Sequence, residues 1–396
     1  MYRDSSTGTL ICMKSFPSPC YVLEEELLTA NLETISSLAR SAGVRIIPAL
    51  KGFALWRVFP LLAEYVDGAA ASSLNEARLI AEEMGRPCYT YAPVYAEKEF
   101  SRLLDISSHI TFNSAAQARR FLPRLQGYNK RAAAGVSWGV RVNPGWSPVE
   151  TALYNPASPV SRLGMPREEL DELMTEYSPE GLHVHALCES SARNSADLIQ
   201  AVREGYGDLL SSLSWLNLGG GHLLTRKTYD LDLLDRSLKG LKAEYPNLTV
   251  ILEPGSAFAW ETGYLKSTVQ DIVSRGGVLT AILDVSFTAH MPDCLEMPYQ
   301  PRIRGSRIAS AEDTRGYRYR MGGNSCLAGD VMGDWLFEEP LAPGDEIIFE
   351  DMIHYTMVKT SMFNGVAHPS IGIVRRDGSR ELLREFAYGD YRDRLS

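Results

Sequence analysis

The sequence predicts an α/β protein: a closed (β/α)8 TIM-type barrel followed by a C-terminal β-rich domain of barrel or sandwich type. Three observations carry that prediction. Over the first two thirds of the 396 residues, short apolar runs alternate with longer amphipathic stretches, and strands alternating with helices imply a parallel sheet. The runs number eight, the count at which such a sheet closes on itself. Beyond about Trp260 the alternation gives way to β-rich pieces parted by glycine, proline and Asp-Gly turns, the punctuation of a separate β domain.

The barrel is bounded at residues 21–262, with 1–20 and 263–396 assigned to the β domain. Its strands are expected in the runs Arg45 to Lys51, Asp67 to Ser72, Cys88 to Ala92, His109 to Asn113, Trp138 to Asn143, Gly181 to Leu187, Trp215 to Gly219 and Thr249 to Glu253. Between them, SLNEARLIAEEMG and SAAQARRFLPRLQG have helical apolar spacing and end on glycines that read as C-terminal caps. In the second part, VLTAILDVSF, YRYRMGGNSCLAGDV, DEIIFEDMIHYTMV and SIGIVRRDG supply the β-rich pieces.

Composition narrows the function. Hydrophobic residues at 45% and charged residues at 22% describe a soluble globular chain. No run approaches the roughly 18 apolar residues of a membrane span, and the start MYRDSSTGTLICMKSF lacks a signal-peptide core, so a cytoplasmic protein with no membrane partner is expected. Six cysteines without a CxxC pair argue against disulfides and structural zinc. A net charge of −9 without a basic run opposes nucleic-acid binding and favours a cationic ligand.

In a barrel of this kind the strand C-terminal ends form the active face. Lys51 follows the first run, His183 and His185 close the sixth, Gly219-Gly220-Gly221-His222 follows the seventh, and Glu253-Pro254-Gly255 follows the eighth. Each has a plain structural reading: a snorkelling lysine, a tight turn, a hydrogen-bonded core histidine, a turn at Glu-Pro-Gly. The HxH spacing also fits a metal pair, but no third ligand stands at a convincing spacing. Together, the residues match one cofactor. A lysine kept partly neutral condenses with an aldehyde; a glycine loop after strand seven holds a phosphate; a histidine ring stacks on a planar heterocycle; a carboxylate after strand eight pairs with a pyridinium nitrogen. That set describes pyridoxal 5'-phosphate (PLP), and Lys51 stands where a rigid strand end holds its amine in place.

Over nearly its whole length the chain resembles the alanine racemase-like, fold type III PLP-dependent decarboxylases, the group that includes ornithine and diaminopimelate decarboxylases. LDVSFTAHMPDCLEMPYQPRI, GGNSCLAGD and FEDMIHYTMVKTSMFNGV most resemble the branch acting on carboxynorspermidine and carboxyspermidine. The resemblance implies decarboxylation to norspermidine or spermidine in polyamine biosynthesis. By it, Lys51 is the Schiff-base lysine, His185 stacks on the pyridine ring, Gly219, Gly220 and Gly221 cradle the phosphate with Tyr355, and Glu253 holds the ring nitrogen. Cys326 is the acid that protonates carbon after carbon dioxide leaves, with Asp330 close by. Asp293 contacts substrate, and Glu296 is a further candidate. The resemblance also implies a homodimer with an active site shared between subunits.

A glutamate at 253 favours a protonated ring and hence decarboxylation over racemisation. Ser256, a substrate-side position, departs from the acidic residue common after EPG in that branch, and Ala70 stands where ornithine-type enzymes place an aspartate. Arg141 is read as supporting either the phosphate or the barrel rim. Two other readings compete: diaminopimelate decarboxylase, and a catalytically inactive regulatory homologue. The first needs an arginine for a second carboxylate, and the second needs neither Lys51 nor Cys326.

Overall fold

The computed structural model describes residues 15–396 apart from residue 314. The N-terminal stretch read for a signal sequence, and Cys12 with it, lies largely or wholly outside the described residues. The chain divides into two compact units, one of residues up to 30 together with 259–396, the other of residues 31–258.

Strand β1 (Cys20–Glu24) opens the described chain, and residues 31–258 then carry β2 (Arg45–Ile46), β3 (Ala69–Ala71), β4 (Cys88–Tyr91), β5 (His109–Phe112), β6 (Ser137–Val142), β7 (Gly181–Val184), β8 (Trp215–Asn217) and β9 (Thr249–Leu252). These last eight form one all-parallel sheet in the order β2-β9-β8-β7-β6-β5-β4-β3. Pro48 interrupts the first run because it has no N–H to give to a ladder, so regular pairing there stops at Ile46. The wall still closes: Ala49 bridges Ala70, the Ala70 N–H donates to Pro48 O at 2.8 Å, and the Leu50 N–H donates to Ala70 O at 3.1 Å. The fold is the expected barrel.

Its interior is packed by Ile47, Ala49, Ala70, Tyr89, Trp215 and Ile251, all buried. Trp215 fills the space that two neighbouring strands leave open, since a Cβ on Gly181 would lie 2.0 Å, and one on Gly139 2.4 Å, from its ring. Outside, helix Leu74–Leu79 continues as a π turn to Met84 and ends on Gly85 at φ +63°, the expected left-handed cap. The other expected cap fails. Helix Ala115–Asn129 runs through Gly127, and the chain turns only where the Asn129 side chain bonds both the N–H and the C=O of Val136, each at 2.9 Å; two side-chain hydrogen bonds outweigh a glycine's weak helix propensity.

The other unit holds a nine-stranded mixed sheet. Its strands are β1 with β10 (Gly263–Arg275), β11 (Val278–Leu283), β12 (Ser306–Ile308), β13 (Tyr317–Gly322), β14 (Val331–Phe337), β15 (Glu346–Glu350), β16 (Ser370–Val374) and β17 (Arg380–Arg384). Residues 21–30, read with the barrel from sequence, fall here instead. The run CYVLE is buried through Leu23 and pairs on both edges, antiparallel to β10 and parallel to β16, and a strand flanked on both sides is central to its sheet.

Candidate active site at the barrel mouth

Strand parity builds the site. Side chains two residues apart share a face, so each residue of the inner layer is followed, one step toward the C-terminal end, by one at the mouth. Tyr89 is followed by Tyr91, Gly139 by Arg141, Gly181 by His183, Trp215 by Asn217 and Ile251 by Glu253. Lys51 stands two residues beyond Ala49, where the Gly52 N–H turns back to Ala49 O at 2.9 Å. A Cβ on Gly52 would lie 2.7 Å from Gly255 Cα. Only glycine permits that approach, and it sets the turn holding Lys51 against the loop that follows Glu253.

Lys51 keeps an exposed surface although protein surrounds its amine, which is the situation of a group standing in an open hollow. Burial and the Arg141 charge push its pKa below the ordinary lysine range, against the pull of Glu253, Cys188 and Glu76. Glu253 is 11% exposed at its side chain. Asn217 Nδ2 donates to its Oε1 at 2.6 Å, and the same amide's Oδ1 accepts the Gly219 N–H at 2.8 Å. Glu253 Oε2 faces His183 Nε2 at 3.6 Å. Burial raises the Glu253 pKa, opposed by the Asn217 bond and the charges of Lys51 and Arg141.

His185 accepts the Gly220 N–H on Nδ1 at 2.8 Å, so its own hydrogen sits on Nε2. Burial, with Lys51 and Arg141 nearby, holds its pKa well below the usual histidine range. Burial, Arg141 and Lys51 do the same for His183, whose ring meets Tyr91 edge-on with centroids 5.2 Å apart. Buried Arg141 lies over Tyr91, 4.8 Å from the ring centre, and donates to His185 O at 3.2 Å. The glycine loop is clamped from behind: Gly221, at φ +86°, would place a Cβ 2.3 Å from the Leu187 carbonyl, and its own carbonyl accepts the Ser190 N–H at 2.7 Å. His222 is buried, with Nδ1 2.8 Å from Ser195 Oγ.

Thus Lys51, His185, Gly219, Gly220, Gly221 and Glu253 gather within residues 31–258, and Ser256, 8% exposed, begins the short helix Ser256–Ala259 right after Gly255. The remaining predicted residues belong to the other unit. Cys326 is exposed, and its N–H donates to Asn364 Oδ1 at 2.9 Å. Asp330 accepts Ser325 Oγ at 2.6 Å and the Thr288 N–H at 3.1 Å. Asp293 is buried with Oδ1 3.0 Å from Lys359 Nζ, and Glu296 engages the same ammonium. Tyr355 opens the helix Tyr355–Val358. Sequence reasoning missed Asn217 and Tyr91. The available signal was parity, since each sits two residues beyond a large aromatic of the inner layer.

A sequence model of the family described as "Pyridoxal-dependent decarboxylase, C-terminal sheet domain" matches residues 20–353. The chain is 48% identical to the carboxyaminopropylagmatine decarboxylase of a Synechocystis species, over 97% of this chain and 96% of that protein. It is 37% identical to the carboxynorspermidine/carboxyspermidine decarboxylase of Campylobacter jejuni, over 94% and 97%. The crystal structure of carboxynorspermidine decarboxylase from C. jejuni complexed with norspermidine superposes with a TM-score of 0.87 at 36% identity, covering 96% of this chain and all of that one. A parallel eight-stranded barrel and a mixed sheet unit therefore have a common origin with these enzymes: the chain belongs to the pyridoxal-dependent decarboxylases, the carboxy-lyases of this fold.

Proposed function

We propose that this chain removes the α-carboxylate of a carboxylated polyamine of the carboxynorspermidine and carboxyspermidine class, with pyridoxal 5'-phosphate held at the barrel mouth. The observation that supports this reading is the placement of Lys51, His185, Glu253 and the glycine loop at the strand ends of one barrel, with His185 bonded to the loop and Asn217 joining the loop to Glu253. The donor set fits the cofactor: an amine of lowered pKa for the aldehyde, a neutral ring for the heterocycle, a buried carboxylate for the ring nitrogen and a glycine backbone free of side chains for the phosphate. Bound there, the cofactor supplies an electron sink for the bond that breaks.

The side chains do the rest. Lys51 offers a nitrogen whose pKa burial and Arg141 hold below the ordinary lysine range. Glu253 holds a proton on the ring nitrogen. His185 covers one face of the site, its tautomer set by Gly220. Cys326 holds a proton at Sγ for delivery to carbon, with Asp330 near it in sequence and Asp293 and Ser256 on the substrate side; Tyr355 joins the phosphate contacts. The working enzyme is a cytoplasmic homodimer in which Lys51 and Cys326 of one site come from different subunits. Among the described residues no helix is long and apolar enough to cross a membrane.

The 48% identical relative favours a second substrate, carboxyaminopropylagmatine, whose tail ends in a guanidinium where the others end in an ammonium. One experiment separates these readings. Carbon dioxide release is measured side by side from carboxynorspermidine, carboxyspermidine, carboxyaminopropylagmatine, diaminopimelate and ornithine. Release from carboxynorspermidine or carboxyspermidine, with the last two at least about tenfold slower in kcat/KM, is expected; release confined to carboxyaminopropylagmatine selects the second substrate. Preference for diaminopimelate, or no release from any, overturns the proposal.

A further inference from the structure

Asn217 ends β8 with 3% of its surface exposed, and both ends of its amide are engaged. Oδ1 accepts the Gly219 N–H at 2.8 Å and Nδ2 donates to Glu253 Oε1 at 2.6 Å. The amide cannot reverse. A flip would set its NH2 against the Gly219 N–H and its oxygen against a carboxylate, losing both bonds and burying two mismatched pairs. Other groups face Glu253 without such a bond: Lys51 and Arg141 act through charge, His183 stands at 3.6 Å, and Tyr89 and Cys88 sense its charge from β4. Among the described residues, Asn217 is the side chain that hydrogen-bonds this carboxylate within 3 Å.

We propose that Asn217 is the positioning residue of Glu253: one amide ties the carboxylate assigned to the cofactor's ring nitrogen to the glycine loop assigned to its phosphate. The inference rests on the PLP reading above. A shift of the loop is transmitted to Glu253 through a single planar group, so the two ends of the site are set together.

The test compares holoenzymes of the wild type, Asn217→Asp, Glu253→Gln and the double variant. Asn217→Asp keeps the acceptor for Gly219 but removes the donor to Glu253 and sets a second carboxylate beside it. Cofactor content after dialysis stays within about twofold of wild type, kcat falls on the order of 100-fold with KM changed less than about threefold, and the visible absorbance of the bound cofactor matches that of Glu253→Gln. Because Asn217 acts through Glu253, the double variant loses no more than about threefold beyond Glu253→Gln alone. A wild-type spectrum and kcat in Asn217→Asp, or multiplicative losses in the double variant, overturn the proposal. Asn217→Ser, smaller and uncharged, takes its place in the same cycle should the aspartate variant not fold. A wild type that neither holds the cofactor nor releases carbon dioxide refutes the functional reading instead.

Discussion

A protonated lysine has no lone pair, so the nucleophile role proposed for Lys51 depends on surroundings that favour loss of its proton. Burial and Arg141 do so here, while Glu253 restrains the effect. Borohydride treatment of the cofactor-loaded protein is therefore expected to fix the cofactor at Lys51, read by peptide mapping; label on another lysine contradicts the assignment. The role proposed for Cys326 is different, a proton delivered late. Cys326→Ala should retain cofactor content while product formation slows by about 10²- to 10⁴-fold, the usual range for a lost general acid, and unchanged turnover would place the acid elsewhere. The positions of Lys51, His185 and Glu253 at the barrel mouth were legible in the sequence because each is a polar residue stepping out of an apolar run just where a strand ends. Asn217 and Tyr91 were not. Parity places both at the mouth, but a lone polar residue at the end of a buried strand looks the same in sequence whether it satisfies the core or steers a neighbouring carboxylate, and the partner across the sheet tells the two apart.

Among the elements, all eight barrel runs were legible because fully buried parallel strands are near-continuous apolar stretches. What sequence left open was decided by side-chain hydrogen bonds or by lateral pairing. Gly127 looked like a cap, yet Asn129 sets where that helix turns. Residues 21–30 were bounded with the barrel, yet pairing of Cys20–Glu24 with β10 and β16 draws that strand into the mixed sheet. Glycine within β6 and β7 has its explanation in a third strand, whose Trp215 ring occupies the room a methyl would need. Gly181→Ala is accordingly expected to destabilise the barrel by about 3 kcal/mol, at or above the upper end of ordinary overpacking, as measured by a shift in the urea midpoint with unchanged m-value. An alanine that costs less than about 1 kcal/mol would show that the indole relocates freely.

For the whole molecule, pH acts through buried histidines. Burial pushes His109, His222 and His290 down to about 4 and holds His183 and His185 well below the ordinary range. On acidification the unfolded chain takes up these protons near pH 6.5 and the folded chain does not, so stability falls as pH drops below that value. At pH 5 each such histidine contributes a loss of about 2 kcal/mol. Glu253 and Glu76, whose pKa values are raised by burial, act in the opposite sense but are fewer. Thermal unfolding followed from pH 7 to pH 5 should show a falling midpoint; a flat or rising one contradicts this balance. The proline that cuts short the first barrel strand has a consequence of its own. Between β2 and β3 the cylinder is stitched by a few rungs around Ala49 and Ala70, whereas elsewhere neighbouring staves share regular ladders. Thermal agitation parts a wall where its stitching is sparsest, and that join lies directly beside Lys51. The shell is thus expected to be most yielding beside the place where the proposed cofactor would be admitted and let go.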